Sequence, residues 1–363
     1  LVQKVVCFKF LSLPLMFSLL FFFSYAAIKT FDISTRKLID NPFEHEMEII
    51  AVALDHYSQG INRKVAFVDR NRDLHIKYAY GTNSSSKSVY SLPPHKLATQ
   101  VDSIKWNDQA NVLAAIADSA FVCWYYPDIV YIDPSLIDQV MERRNDSQYG
   151  KNACIADFFG TRCNIRRIDG ANMACSVSSY PLILYEFVEK KQWTSALRLC
   201  RYTKDEVLWT CLAGMAIRAG ELNTAEVALA AIDRAEKLEY INYIKSIPTR
   251  EGRNAELALY MRRPQEAESI LLQSSPPLVY RAIKMNIRLY NWDRALELAL
   301  KYKTHVDTVL QYRGIFLKQF SREETNKEFL RYSSVEVDWE KIKTKIQKEK
   351  EKEKSRPGAK MYQ

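Results

Sequence analysis

The stretch NWDRALELALKYKTHVDTVLQYR, residues 291–313, decides how the C-terminal half of the chain folds. It opens with Trp292 and places Ala295, Leu296 and Leu298 behind it. KQWTSALRLCRY, residues 191–202, does the same with Trp193, Ala196, Leu197 and Leu199. Apolar residues at steps of three and four line one side of an amphipathic helix. Trp-x-x-Ala-Leu-x-Leu is therefore a helix written to pack against another. The alanines opening each second turn recur, unevenly spaced, at Ala196, Ala225, Ala267 and Ala295. A small alanine lets a partner backbone approach, while tryptophan or leucine fills the gap beside it. Repetition on this scale predicts an α-helical solenoid over residues 181–340. Its units are irregular in length but follow the logic of tetratricopeptide repeats of about 34 residues. Trp193 and Trp292 are expected as core between helices, as are Leu197 and Leu296.

Ahead of Pro181 the pattern alternates with period two, and turn residues interrupt it every eight to twelve positions, which predicts short strands. EIIAVALD (48–55), RKVAFVDR (63–70), DLHIKYAY (73–80) and KSVYSL (87–92) make one group of four. VDSIKWND (101–108), NVLAAIAD (111–118), AFVCWYYP (120–127) and DIVYID (128–133) make a second. NACIADFFG (152–160), RCNIRRIDG (162–170) and ANMACSVSS (171–179) give most of a third. Landmark turns fall at Asp69, Asp118 and Gly160, and Trp124 stands on the third strand of its group. Four-strand repeats of about 40–50 residues mark WD40-type β-propeller blades, and the landmarks fit that spacing. The repeats are degenerate, with no Gly-His and no clean Trp-Asp pair, and an antiparallel sandwich is the competing fold. About three blades in residues 27–180 cannot close a ring. Together with Leu1 at the start, this leads us to expect further blades ahead of them in the intact protein.

At 363 residues the chain exceeds what one hydrophobic core usually covers, so two domains are expected. The fold class read from the pattern is β then α: an incomplete WD40-type β-propeller followed by an irregular TPR-like α-helical solenoid. A net charge of +9 suggests nucleic acid until the charge is located. Residues 341–363 carry eight lysines and one arginine against three glutamates, which is +6 of the total. The rest is near neutral, and no nucleic-acid partner is expected. A basic tail of this kind could touch an acidic tubulin surface or an anionic membrane. The plainer expectation is a solvated helix fraying into disorder, with Val335, Trp339 and Ile342 able to dock at its start.

Chemistry is sparse. Only 10 glycines occur, and neither GxGxxG nor GxxxxGK[ST] is present, so the familiar phosphate loops are excluded. Seven cysteines form no CxxC and no Cys-His cluster at zinc spacing, which points to reduced thiols and no structural metal. Cys123, Cys200 and Cys211 lie in apolar runs, where cysteine is a small hydrophobe. His305 has Asp307 nearby but no serine or cysteine nucleophile in frame, and reads as a capping or packing histidine. Ser321 and Glu324 have the spacing of a capping box. No catalytic, cofactor-binding or metal-ligating residue is assigned, and no enzyme is expected.

Residues 1–26 stand apart, and two readings of KFLSLPLMFSLLFFFSYA (9–26) are open. As a secretory signal, Lys4 and Lys9 precede the apolar run, and Ser24-Tyr25-Ala26 serves as the cleavage site of a disulfide-bonded receptor. As a translated polypyrimidine tract of an intron, it explains why every residue from Leu11 to Ser24 except Met16 is Leu, Ser, Pro or Phe. The second is preferred, with genuine protein expected from about Ala27. The run is too short for a confident membrane span, and no integral span is expected.

Propeller followed by helical solenoid is the plan of coat and transport scaffolds. Within that group NRKVAFVDRNRDL (62–74), FVCWYYPDIVYID (121–133), IRRIDG (165–170), EVDWEK (336–341) and, above all, LYNWDRALELALKYKTHVDTVLQYR (289–313) resemble the intraflagellar transport protein 80 family. The resemblance covers about residues 27–350. It implies two tandem propellers before the helices, of which this chain would hold the last blades of the second. It also implies a non-enzymatic scaffold of ciliary transport complex B, located at the axoneme and basal body of the cilium and in the cytoplasm. The implied partners are other complex B subunits and, indirectly, kinesin-2 and axonemal microtubules, with self-association through the C-terminal helices. Pro276-Pro277 makes one inter-helix link longer than the family plan suggests. A vesicle-coat subunit of the same architecture is the alternative.

Overall fold

The computed structural model describes residues 19–24, 27–32, 37–38, 43–58, 62–78, 93–145, 149–150, 152–332 and 338–360. The chain divides into two compact units, Leu1–Ala216 with Val227–Asp233, and Ile217–Glu226 with Arg234–Gln363.

Among the described residues the first unit contains four separate antiparallel sheets in chain order. Strands β1 (Leu19–Ser24), β2 (Ala27–Asp32), β3 (Lys37–Leu38) and β4 (Phe43–Glu44) form one, with β4 paired to β2. The next holds β5 (Ile49–Leu54), β6 (Lys64–Asp69), β7 (Leu74–Tyr78) and β8 (His95–Ala98) as a simple meander. Strands β9 (Val101–Trp106), β10 (Leu113–Ala117), β11 (Ala120–Trp124) and β12 (Met141–Arg144) repeat it. The last described sheet has three strands, β13 (Cys154–Phe159), β14 (Arg162–Arg166) and β15 (Asn172–Ser176). In the last three sheets the first strands begin at Ile49, Val101 and Cys154, so the step between these sheets is nearly even.

Neighbouring sheets pack through their apolar faces. Ala66, Val68, Leu74 and Ile76 of one sheet share a core with Trp106, Leu113, Ala115, Val122 and Trp124 of the next. Trp106 donates its indole N–H to the Ala53 carbonyl at 3.1 Å, which satisfies the polar edge of a ring that is 1% exposed.

One expected strand turns out differently. DIVYID (128–133) is no strand. Pro127–Tyr131 is a 3₁₀ turn, Pro134–Val140 is a second, and the fourth strand is β12. Proline supplies the reason: it donates no ladder hydrogen bond, and its fixed φ suits the first position of a turn. Asp133 completes the break by accepting the Ser135 N–H at 3.1 Å. KSVYSL (87–92) lies outside the described residues, and the fourth strand of its sheet is β8.

The period changes to 3.6 at Tyr180. Helices α1 (Tyr180–Glu189) and α2 (Trp193–Thr203) belong to the first unit. Then follow α3 (Glu206–Ala219), α4 (Leu222–Ala231), α5 (Ala235–Lys245), α6 (Arg250–Tyr260), α7 (Pro264–Gln273), α8 (Val279–Arg288), α9 (Trp292–Lys301), α10 (Val306–Gln319), α11 (Lys327–Leu330) and α12 (Trp339–Lys354). Tyr185 of α1 seats that helix on the sheets, donating its hydroxyl to the Asn111 and Tyr125 carbonyls at 3.0 Å each.

The basic tail departs from expectation in its order, not in the docking of Trp339 and Ile342; Val335 lies outside the described residues. Residues 339–354 form an ordered helix, α12, capped by Asp338, whose carboxylate accepts the Glu340 and Lys341 N–H groups. Ile342 is fully buried, Trp339 meets Tyr312 edge-on at 5.8 Å, and Lys345 pairs with Asp307 at 2.9 Å. A compositional argument misses this because only a few residues of the helix carry the docking.

Candidate interaction surface

The helical repeats share one local device. Lys191, Gly220, Arg262 and Tyr290 all have positive φ, between 55° and 75°. Each ends a helix in the left-handed conformation, and the next helix starts two residues on, at Trp193, Leu222, Pro264 and Trp292. In three of the four the following N–H reaches back along the finished helix: Gln192 to Phe187, Arg263 to Ala258 and Asn291 to Asn286, at 2.8–2.9 Å. This is the Schellman arrangement, which satisfies the orphan carbonyls of a helix end. Ala196, Ala225, Ala267 and Ala295 stand three residues into their helices, and all four have no solvent exposure. Leu296 and Trp292 are buried as well, at 3% and 9%, whereas Trp193 and Leu197 are half-buried.

In the second unit, helices α6–α10 enclose one core, with Leu271, Ile283, Trp292, Leu296, Leu298 and Val309 at its centre. Arg313 closes one end. Its guanidinium lies 5.5 Å from the Trp292 ring and 5.4 Å from that of Phe329, and pairs with both oxygens of Glu324 at 2.8 and 3.1 Å. The Arg313 hydrogen bonds hold the Glu324 carboxyl below its ordinary value. The expected capping box therefore does not form. Ser321, with φ of 50°, is the left-handed residue after α10, and Asn326 caps α11 instead.

Beside this core an apolar surface is uncovered among the described residues. Tyr290, Phe316 and Phe320 form a ladder with ring centroids 5.2 and 4.9 Å apart, and Tyr290 and Phe320 are 64% and 56% exposed. Leu289 and Ile315 are also exposed. An exposed aromatic cluster on a well-packed helical support suits contact with another protein.

A second feature lies where the tail docks. A groove of 540 Å³ is lined by Pro276, Pro277, Tyr280, His305, Lys352 and Arg356, among others. Glu353 of α12 is 7% exposed and accepts two bonds from Arg281 Nε, at 2.7 and 2.8 Å, and one from Thr249 at 2.6 Å. Arg356 donates to the Pro276 and Pro277 carbonyls, so the proline-rich link is a clamp for the tail. His305 is 1% exposed, with Nδ1 3.1 Å from Thr308 Oγ1 and its ring against Tyr280. Burial first, and then the charge of Lys345, push its pKa down to about 4. It packs and stays neutral, with the Thr308 hydroxyl as its hydrogen-bond partner.

In the first unit, Asp69 and Asp118 mark equivalent positions, the hairpins between second and third strands. Asp118 and Ser119 both have positive φ, as a two-residue hairpin of the right-handed twist requires. Gly160 stands one hairpin earlier, between first and second strands, so the step from Asp118 to Gly160 does not span a blade. Trp124 lies on the third strand of its sheet and is 1% exposed. Two polar clusters went unread in the sequence. Lys64 is buried between Asp55 and Asp128, at 3.3 and 2.8 Å, and bonds Ser58 at 3.1 Å. A lysine heading the apolar run from Val65 to Val68 is its faint signal. His45, Asp69 and His75 converge in the second cluster. Among the described residues six cysteines are all unbridged, and burial pushes Cys163 and Cys200 up to about 12, which leaves them protonated.

Comparison with known proteins agrees with both halves. Residues 24–180 match the family model described as the IFT80 second beta-propeller. Residues 208–355 match the TPR domain of IFT80/172/WDR35/WDR19, and so include the whole of α12. The chain is 44% identical over 320 residues to the intraflagellar transport protein 80 homologs of Rattus norvegicus and of Mus musculus. The alignment takes in 87% of this chain and 40% of each relative, so the chain spans well under half of their length. Among the described residues no helix is long and apolar enough to cross a membrane.

Proposed function

That the chain belongs to the IFT80 family is the premise from which we propose that it is a non-enzymatic scaffold subunit of intraflagellar transport complex B. In that role it supports anterograde, kinesin-2-driven movement along axonemal microtubules and the assembly of the cilium. It resides at the axoneme and basal body, with a cytoplasmic pool. The observation that carries the proposal is the match of two family models in order, propeller then TPR, over folds that agree with each. The exposed ladder of Tyr290, Phe316 and Phe320 supports a contact role for the helical unit, with another complex B subunit as the occupant.

Affinity purification of the full chain from ciliated cells, read by mass spectrometry, tests this. Complex B subunits should be recovered, and Tyr290→Glu with Phe320→Glu should cut recovery about tenfold or more at unchanged thermal stability, as for loss of an aromatic hot spot. Recovery of vesicle-coat subunits would replace the proposal with a coat function. Recovery of neither would overturn it.

A further inference from the structure

Asp69 ends β6, and its two carboxylate oxygens face different surroundings. Oδ1 accepts the backbone N–H groups of Asn71 at 2.9 Å and Asp73 at 3.0 Å, which fixes the plane of the carboxylate at the turn. Oδ2 is left facing two imidazoles. His45 Nε2, from the segment ahead of β5, lies 3.4 Å away, and His75 Nε2, from β7, lies 3.4 Å away on another side. The donor atoms of all three residues fall within 4.8 Å of one another. Phe67 holds both rings: it stacks on His75 at 5.2 Å and meets His45 edge-on at 5.1 Å.

Hydrogen bonding explains this cluster poorly. A separation of 3.4 Å exceeds the usual N–H···O range of about 2.7–3.2 Å. Neither ring nitrogen of His75 makes a hydrogen bond of acceptable geometry, although both are buried, and buried polar atoms normally find a partner. Metal coordination accounts for the same distances. Two donors bound at about 2.0–2.1 Å to one tetrahedral ion stand about 3.3–3.4 Å apart. We propose that His45 Nε2, Asp69 Oδ2 and His75 Nε2 bind a first-row divalent ion of the zinc class, with solvent in the fourth position.

Two imidazoles with one carboxylate favour such an ion over calcium or magnesium, which prefer all-oxygen shells. The bonds to Asp69 Oδ1 are the outer support that aims a ligand carboxylate at its ion. The side chains of both histidines are 13% exposed, so the cluster lies close to solvent. The ion would tie the segment before β5 to the hairpin of β6 and β7. No bond to carbon is made or broken, and the role is structural.

The test uses the full chain in a Cys154→Ser background, because Cys154 is an exposed thiol that could bind metal itself. After chelator treatment the protein is titrated with Zn²⁺ against a colorimetric chelator. Co²⁺ then serves as the spectroscopic probe. One tight equivalent of Zn²⁺, a Co²⁺ spectrum of four-coordinate intensity and a Tm that rises with added Zn²⁺ are expected. His75→Phe keeps a ring stacked on Phe67, and with His45→Asn it should weaken the equivalent at least about 100-fold. His95→Gln should retain it. Absence of a tight equivalent in the parent, or its persistence in both His75→Phe and His45→Asn, overturns the site. Should His75→Phe fail to fold, His45→Asn decides, since His45 lies outside the strands.

Discussion

Trp292 shows what a repeat residue does. Its ring meets those of Tyr290 and Phe316 at 6.1 and 5.4 Å, and the guanidinium of Arg313 lies over it. Trp292→Ala should destabilise the helical unit by about 3–5 kcal/mol, the cost of removing a buried aromatic and leaving a cavity. Urea unfolding followed by helical circular dichroism reads this, and a loss below about 1 kcal/mol would mean that Trp292 is peripheral. His305 makes a pH prediction. Its folded pKa, about 4, lies below the ordinary 6.5, so between those values the unfolded chain binds a proton that the folded chain refuses. Stability from this residue is complete above the window and is lost as pH falls through it. His305→Gln should therefore reduce the fall in Tm between about pH 7 and 4.5. The charged groups around the ring, Lys345, Asp307, Glu349 and Lys352, remain in the variant and set the residual slope. An unchanged slope would assign the whole effect to them.

Among elements, α12 depends most on single contacts. Its surface is largely exposed lysine and glutamate, and it is held by Ile342, Lys345 and Glu353. Glu353→Gln removes the charge opposite Arg281 and should cost on the order of 2–3 kcal/mol. That is somewhat below the cost of breaking a fully buried pair, because Arg281 keeps some access to water. Hydrogen exchange should accelerate in α12 and in the 274–278 link, with the sheets unaffected. If α12 exchanges no faster, the pair is decorative. Legibility differed between elements for a physical reason. The β strands and the helices α1–α10 bury regular faces, and regular burial imposes a period on the sequence. α12 buries isolated side chains, which leave no period, and so it read as a tail. The 3₁₀ turns at 127–140 were missed because Ile129, Val130 and Tyr131 are all buried, and a continuous apolar run looks the same for strand and turn.

At the scale of the molecule, one core centres on Trp106 and Trp124 between sheets and another on Trp292 among helices. They share no residue, so the losses from Trp124→Ala and Trp292→Ala should add to within about 0.5 kcal/mol in the double variant. A larger deviation would mean that the two cores are energetically coupled. The sequence by itself determined the change from period two to period 3.6 at Tyr180, the alanine positions of the repeats and the family, because each is carried by residues close together in the chain. Only the tertiary structure decided that Glu353 is buried by Arg281 and Thr249, and that His45 and His75 meet at Asp69. Arg281 and Thr249 lie 72 and 104 positions ahead of Glu353 in the chain. His45 and His75 have the whole of β5 and β6 between them. Antiparallel pairing and helix docking bring these partners together, and a pattern read along the chain carries no trace of contacts made across it.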